Sequence, residues 1–485
     1  MHLNNSSDIE KKILLIGIIT STFFLIGISI SRILYPFDYG GYEAGIWSPA
    51  FLSAHGVNPY KMNLTTNPPY TMAPYGIAYY GIVGLGLRII GIQFWFARII
   101  SMICVLICSI CISKITFHFT GCKNKAMLSI FLFISQFPIQ SWIGVQRPDL
   151  LALSFSFLGI TIALTQNPSG KYLKIILLLL VQAFFLGAAI LTRQICILPV
   201  GVVAGWYFLN KQYTRLIIFL LLIASFLSVV FTWLNKTSDG GYYWQQWLMP
   251  GTVEKNFEIG KEHFLTFVKS PVIIGIIFLT ILIWANKKNK SEQTTPYTTL
   301  ILVYLIMSFI LSAVTASRIG SNINYYLELT AIITLIIPLY IARIENSLAS
   351  KNIYLLILIF ILLSLSFTGL RICRGEYFRW QALPYFNEIV TTIEQKTPEN
   401  QPAYSDYPEL IVAANRLYFF NDFVQYDGRA PKQHLLFNEV LSSGKLSAIV
   451  TASEDTPLGY YRYKLSNPLP KKFYKVYLYL RNTPH

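Results

Sequence analysis

The sequence predicts an all-α polytopic membrane protein of about 11 transmembrane helices, with interfacial helices in its external loops and a small C-terminal α/β domain. Three observations predict it. Of the 485 residues, 54% are hydrophobic and only 13% charged, against about 25% charged in an average soluble domain. Apolar runs recur along the chain, each of roughly 18 residues or more and so able to cross a hydrocarbon layer of about 30 Å. No water is present there to satisfy backbone groups, so such runs must be helices. From about Arg371 onward, the composition becomes that of an ordinary soluble domain.

The first element is Ile13–Leu34. Lys11 and Lys12 precede it, it is longer than the apolar core of a cleavable signal, and no small-residue cleavage site follows. It reads as a helix that stays in the membrane. Further spans are expected at Ile92–Ile115, Ala126–Ile143, Leu150–Leu164, Leu173–Leu191, Ile195–Leu209, Leu216–Leu234, Val272–Ala285, Leu300–Val314, Leu329–Ile341 and Ile353–Leu370. Tyr75–Gly91 is apolar but short and rich in Gly and Tyr. If it lies along the interface, six short basic loops fall on one side: those of Lys11, Lys114, Lys171, Lys211, Lys287 and Arg343. Cytoplasmic loops carry such charge, so the segment reads as interfacial, with the N-terminus cytoplasmic and the C-terminus outside. Lys255, Lys261 and Lys269 fall outside, in a longer loop where the rule weakens.

Three external segments exceed what a connection needs: 35–74, 235–271 and the tail from 371. Tyr242, Tyr243, Trp244 and Trp247 suggest an interfacial helix in the second. In the tail, short β-like runs (417–420, 448–450, 473–480) alternate with helical stretches such as 385–394. The chain thus divides into a transmembrane domain, 1–370, and an exoplasmic α/β domain, 371–485.

The net charge of +16 does not point to nucleic acid. The basic residues sit mostly in short loops, and no nucleic-acid module is present. Cys104, Cys108 and Cys111 share a helical face, and Cys108–Cys111 is formally a CxxC. With no second pair and no adjacent His, they read as small packing residues.

Ionisable groups are nearly absent from the middles of the spans, where a proton-coupled pump would place them. They gather at the external turns: Asp38 and Glu43 after the first helix, Arg147 and Asp149 after the third, Arg193 and Gln194 between the fifth and sixth. Arg318, Asn322, Asn324, Tyr325 and Glu328 lead into the tenth. Singly each has a plain role: Asp38 and Asp149 as helix caps, Arg193 as a snorkelling side chain, Arg318 as an anchor. Their shared side suggests more. A carboxylate there can take a proton from an acceptor hydroxyl, and an arginine can hold a phosphate leaving group. That chemistry fits glycosyl transfer from a polyprenyl-phosphate sugar, with the lipid tail between helices in the bilayer. A nucleotide sugar fits less well, because the chain has no G-x-G-x-x-G and no Asp-x-Asp. The alternatives are a lipid-linked glycan flippase or exporter, and a non-catalytic membrane partner of a glycan-assembly complex.

The ordered stretches PFDYGGYEAG (36–45), HGVNPY (55–60), PYTMAPYGIAYY (69–80), RPDLLALSFSFLGI (147–160), AAILTRQICILP (188–199), RIGSNINYYLEL (318–329) and SDYPELIVAANRLYFFND (405–422) resemble the GT-C superfamily of integral membrane glycosyltransferases. That superfamily includes protein O-mannosyltransferases and the bacterial aminoarabinose transferase. More narrowly, the chain looks like bacterial relatives of lipopolysaccharide-core galacturonic acid transferases. The resemblance implies a lipid-phosphate donor, a glycan, lipid or protein acceptor, and inversion at the anomeric carbon. It implies Asp38 as the base and Asp149 as a group placing the acceptor or a metal. The acidic pair after the first helix is often adjacent in the family and is separated here, so Asp38 and Glu43 both stand as candidates. Arg147, Arg193 and Arg318 are the candidate phosphate ligands, and Gln194, Asn322, Asn324, Tyr325 and Glu328 the candidate substrate contacts. Thr192-Arg193-Gln194 stands where relatives often have Thr-Lys-Gln, and Arg adds fork geometry to the charge. Carboxylates brought close in space could hold a divalent cation. The high Ile, Lys and Asn content suits an A/T-rich bacterium, which would make the membrane the inner membrane and the outside the periplasm.

Overall fold

The computed structural model describes residues 2–481 apart from 40–42, 67–70, 92, 166–171, 271–272, 274–276, 278–295, 319, 345–347, 400, 406, 415–445, 452–453, 455–459 and 468–475. Seven helices among them are long and apolar enough to cross a bilayer: Asp8–Leu34, Trp95–Thr120, Tyr172–Thr192, Tyr213–Thr237, Thr299–Ala316, Ile323–Ala342 and Asn352–Lys396. The expected span Val272–Ala285 lies almost wholly outside the described residues.

In chain order, α1 (His2–Leu34) leads to two short loop helices, α2 (Ala44–Ala54) and α3 (Asn63–Thr66). The interfacial candidate is α4 (Ile77–Ile90), whose 14 residues extend only about 21 Å. Then come α5 (Trp95–Thr120), α6 (Lys123–Ile134), α7 (Phe137–Trp142), α8 (Asp149–Thr165), α9 (Tyr172–Thr192), α10 (Leu198–Leu209) and α11 (Tyr213–Thr237). The expected single span Ala126–Ile143 is therefore two helices, α6 and α7. Gln136 between them is extended, and Pro138 has no N–H with which to continue the ladder.

Burial separates two kinds of helix. α8 buries residues on every face, packed among α5, α9 and α10. α11 buries only Phe219, Ile223 and Leu234. Phe23, Leu173 and Val229 are 73%, 78% and 69% exposed. In water such side chains would form an aggregating surface; here they form the belt that meets lipid.

The connection after α11 carries α12 (Gly241–Tyr243), a π-helical turn Trp244–Leu248, α13 (Met249–Thr252) and α14 (Phe257–Val268). After α15 (Pro296–Ala316), a 3-10 turn Ile323–Tyr326 opens α16 (Leu327–Ile344). The last long helix, α17 (Leu348–Lys396), is 49 residues, about 74 Å. It passes through position 370 without a break.

A short helix, α18 (Pro408–Ala413), and four strands follow: β1 (Tyr404–Ser405), β2 (Ala448–Thr451), β3 (Tyr460–Tyr463) and β4 (Tyr477–Arg481). The expected run 448–450 falls in β2 and residues 477–480 of the run 473–480 fall in β4; 473–475 and 417–420 lie outside the described residues. The sheet order is β1-β2-β4-β3, with β1 and β2 parallel and the other pairs antiparallel. Both faces of β4 are covered. Side chains alternate along a strand, so Leu478 and Leu480 pack with Tyr385, Phe386 and Ile389 of α17. Tyr477 and Tyr479 instead join Met72 of the connection before α4 and Met249 of α13. The sheet is held between the long helix and those segments.

Candidate functional site

Four turns meet at one end of the bundle. After α1 the chain bends through Pro36 and Phe37 to Asp38. Both oxygens of Asp38 accept the Glu43 N–H at 3.0 Å, which aims the carboxylate along the backbone that opens α2. Glu43 is fully buried. Its carboxylate forms an ion pair with Arg98 of α5, also fully buried, and accepts the backbone N–H of Tyr39 at 2.9 Å and of Gln146 at 2.5 Å. Arg98 also donates to the carbonyls of Arg32, Tyr35 and Phe37 at 2.6, 2.5 and 2.6 Å. With Glu43 these occupy the five N–H donors of a guanidinium. Arg32 does the same for the next turn, donating to the carbonyls of Gln140, Ser141 and Ile143 at the end of α7.

The second acid opens α8. Asp149 forms an ion pair with Arg193 at the α9–α10 turn and accepts from Asn324 Nδ2 at 2.8 Å and Trp142 Nε1 at 3.2 Å. Arg147 Nε lies 3.9 Å from its second oxygen. The Arg193 guanidinium sits 4.4 Å over the Tyr325 ring and that of Arg147 5.2 Å over Tyr75. These groups border a small, partly open pocket lined by Asp149, Arg193, Ser308, Asn324, Tyr325 and Glu328 among others. Glu328 accepts from Tyr304 at 2.7 Å. Ser308 Oγ and Asn324 Oδ1 are buried and have no hydrogen-bond partner among the described residues. A bound hydroxyl-rich group could supply one.

The Ala73-Pro74-Tyr75 segment is fixed against both neighbours. Gly76 donates to the Thr192 carbonyl at 3.1 Å, and a Cβ there would fall 1.8 Å from the Leu191 carbonyl oxygen; only glycine permits that approach. From the π-helical turn, Gln246 donates to the carbonyls of Ala73 and Tyr75 at 2.5 and 2.8 Å, and Gln245 accepts from Ala73 N–H at 2.6 Å. Gln194 donates to the Gln246 carbonyl at 2.7 Å.

The structure thus brings Asp149, Arg193, Asn324, Tyr325 and Glu328 around one cavity, with Arg147 beside Asp149. Asp38 and Glu43 form a neighbouring cluster, joined to it through Gln146. Gln194 bonds the turn that carries Gln246 and is not among the residues lining the pocket. Asn322 caps the 3-10 turn through Ile323 N–H at 2.7 Å. Arg318 lies outside the cavity lining, its backbone bridged to Lys255. Among the described residues, no three His, Cys, Asp or Glu side chains converge to hold a metal. Arg32, Arg98, Trp142, Gln245 and Gln246 were not foreseen. The one available signal was a charged residue, Arg32 or Arg98, in the end turn of an apolar helix.

No protein-family model and no curated protein matches the chain. Solved structures do. The fold is that of the GT-C integral membrane glycosyltransferases. ArnT from Cupriavidus metallidurans bound to undecaprenyl phosphate matches at TM-score 0.65 and 10% identity, over 95% of this chain and 97% of that one. An oligosaccharyltransferase from Archaeoglobus fulgidus matches at 0.57 and 11%, over 94% and 72%. The mycobacterial arabinofuranosyltransferase AftD matches at 0.54 and 10%, over 96% and 40%.

Proposed function

We propose that this protein is a glycosyltransferase moving a sugar from a polyprenyl-phosphate donor to an acceptor hydroxyl at the exoplasmic face, with inversion at the anomeric carbon. The observation that carries the reading is the cavity at the end of the bundle, where Arg193 is held between Asp149 and Tyr325 next to the loop bearing Asp38. Asp38 takes the proton of the acceptor hydroxyl. The hydroxyl oxygen bonds to the anomeric carbon as the bond to the phosphate oxygen breaks, and polyprenyl phosphate departs with the electron pair. Arg193, with Arg147 nearby, offsets the charge that grows on the phosphate. Asn324, Tyr325 and Glu328 contact the sugar. Glu43 holds the loop through Arg98, which leaves Asp38 as the base. Support for a lipid phosphate also comes from structures of the same fold bound to undecaprenyl phosphate and to a dolichol-phosphate. In this reading residues 1–370 are the catalytic domain and 371–485 a periplasmic domain, in a bacterial inner membrane with the N-terminus cytoplasmic.

The test is a transfer assay in membranes supplied with polyprenyl-phosphate sugars, comparing the wild type with Asp38→Asn, with and without a chelator. Transfer that vanishes in the variant supports the enzyme class and the base together, and loss on chelation assigns a divalent cation to the reaction. No transfer from any donor rejects the reading in favour of a flippase or a non-catalytic partner.

A further inference from the structure

A reacting carboxylate on a loop needs bracing to hold a productive geometry. The loop of Asp38 is braced from the far end of the chain. One face of α17 meets residues 31–39, and its side chains recur at helical spacing. Glu376 Oε1 accepts from Arg32 Nε at 3.0 Å. Trp380 Nε1 donates to Ser31 Oγ at 2.9 Å, and its ring meets Tyr35 edge-on at 5.7 Å. Phe386 lies 6.0 Å from Phe37.

Tyr39, the residue after Asp38, is held on every side. Its hydroxyl donates to Glu376 Oε1 at 2.5 Å and accepts from Arg32 Nη2 at 2.9 Å. Two guanidinium groups approach its ring, Arg379 at 3.6 Å and Arg32 at 4.2 Å from the centroid. Burial pushes the phenol above its usual range, with Arg32 pulling the other way, so it stays a protonated donor. Beyond Arg379, the same helix packs the sheet through Tyr385, Phe386 and Ile389.

We propose that Glu376 and Arg379 are positioning residues for Asp38: by gripping Tyr39, they let the helix that carries the external sheet set the direction of the Asp38 carboxylate. This rests on the reading of Asp38 as the base. It makes seating of the external domain and alignment of the base one event.

The experiment uses the full chain in nanodiscs, with Glu376→Gln, Glu376→Asp, Arg379→Gln and Tyr39→Phe. It measures kcat and KM for sugar transfer and amide hydrogen exchange over residues 35–39. Misplacing a reacting group by about 1 Å costs up to about a hundredfold. The expected result for Glu376→Gln is a kcat about ten- to a hundredfold lower, with KM unchanged and loop exchange faster. Glu376→Asp should recover most of the loss. Tyr39→Phe added to Glu376→Gln should lower kcat no further, because both act through one link. Arg379→Gln leaves the Arg32–Glu376 pair in place and should show the same split more weakly, which serves if the Glu376 variants do not fold. Unchanged loop exchange in all variants, or a loss confined to KM, overturns the proposal. If the wild type transfers no sugar yet Glu376→Gln still speeds loop exchange, the bracing stands and the assignment of Asp38 as base is what fails.

Discussion

In the turn after α1, Glu43 and Arg98 direct their hydrogen bonds entirely at the protein itself, and both are fully buried. In the turn before α8, Asp149 and Arg193 are paired as well, but they border a cavity in which Ser308 Oγ and Asn324 Oδ1 have no partner among the described residues. Both sites contain an acid and an arginine at a helix end, so residue type alone does not separate them. What separates them is that all five N–H donors of Arg98 meet protein acceptors beside Glu43, whereas Asp149 and Arg193 line a pocket. A saturated buried pair holds structure, and removing one partner strands the other charge. An unsaturated polar wall is a place where a ligand can complete the hydrogen bonding.

The comparison breaks most sharply on the two acids after α1. Asp38→Asn should lower kcat by about 10²- to 10⁴-fold, the range of a general base, while thermal unfolding in detergent stays close to wild type. Retained transfer would remove Asp38 from the chemistry. Arg98→Ala should instead cost about 3–5 kcal/mol of stability by leaving Glu43 buried without its cation, seen as a lower unfolding temperature and reduced membrane yield. A normally stable Arg98→Ala protein would show that this pair does not hold the turn.

Around the cavity, the effects should fall on binding. Arg193→Lys keeps the charge but loses the fork, and about a tenfold weaker protection by added polyprenyl phosphate is expected, on the order of 1.4 kcal/mol. Undiminished protection would place the phosphate elsewhere. Gln194→Ala should have the smallest effect, about 0.5–1.5 kcal/mol for one hydrogen bond, measured as a slight drop in unfolding temperature with kcat unchanged. A large fall in kcat would make Gln194 a substrate contact in its own right.

Several parts of this architecture were legible in advance. The apolar runs located the long helices, because a bilayer demands both length and apolarity of any segment that crosses it. The acids and arginines at alternate helix ends marked turns that meet at one end of the bundle. Composition was a poorer guide to α17. Charges enter after Leu370, and hydropathy falls there, yet the helix continues to Lys396. Hydropathy marks where the bilayer stops; a helix stops only where its backbone bonds or its packing fail. The break between α6 and α7 was missed for the converse reason: Ala126–Ile143 is apolar throughout, and one proline interrupts it.

By itself, the sequence determined the membrane class, the helix-bearing segments, the change to soluble composition in the tail and the set of charged turns, because those follow from local composition and periodicity. Only the tertiary structure decided which charge meets which. Glu43 finds Arg98 across 55 positions, Gln246 finds Ala73 across 173, and Arg32 finds Glu376 across 344. Pairings at such separations leave no periodic mark in a single sequence. They are fixed by the packing of helices whose apolar faces accept many partners, and a buried charge is stable only where that packing supplies its opposite.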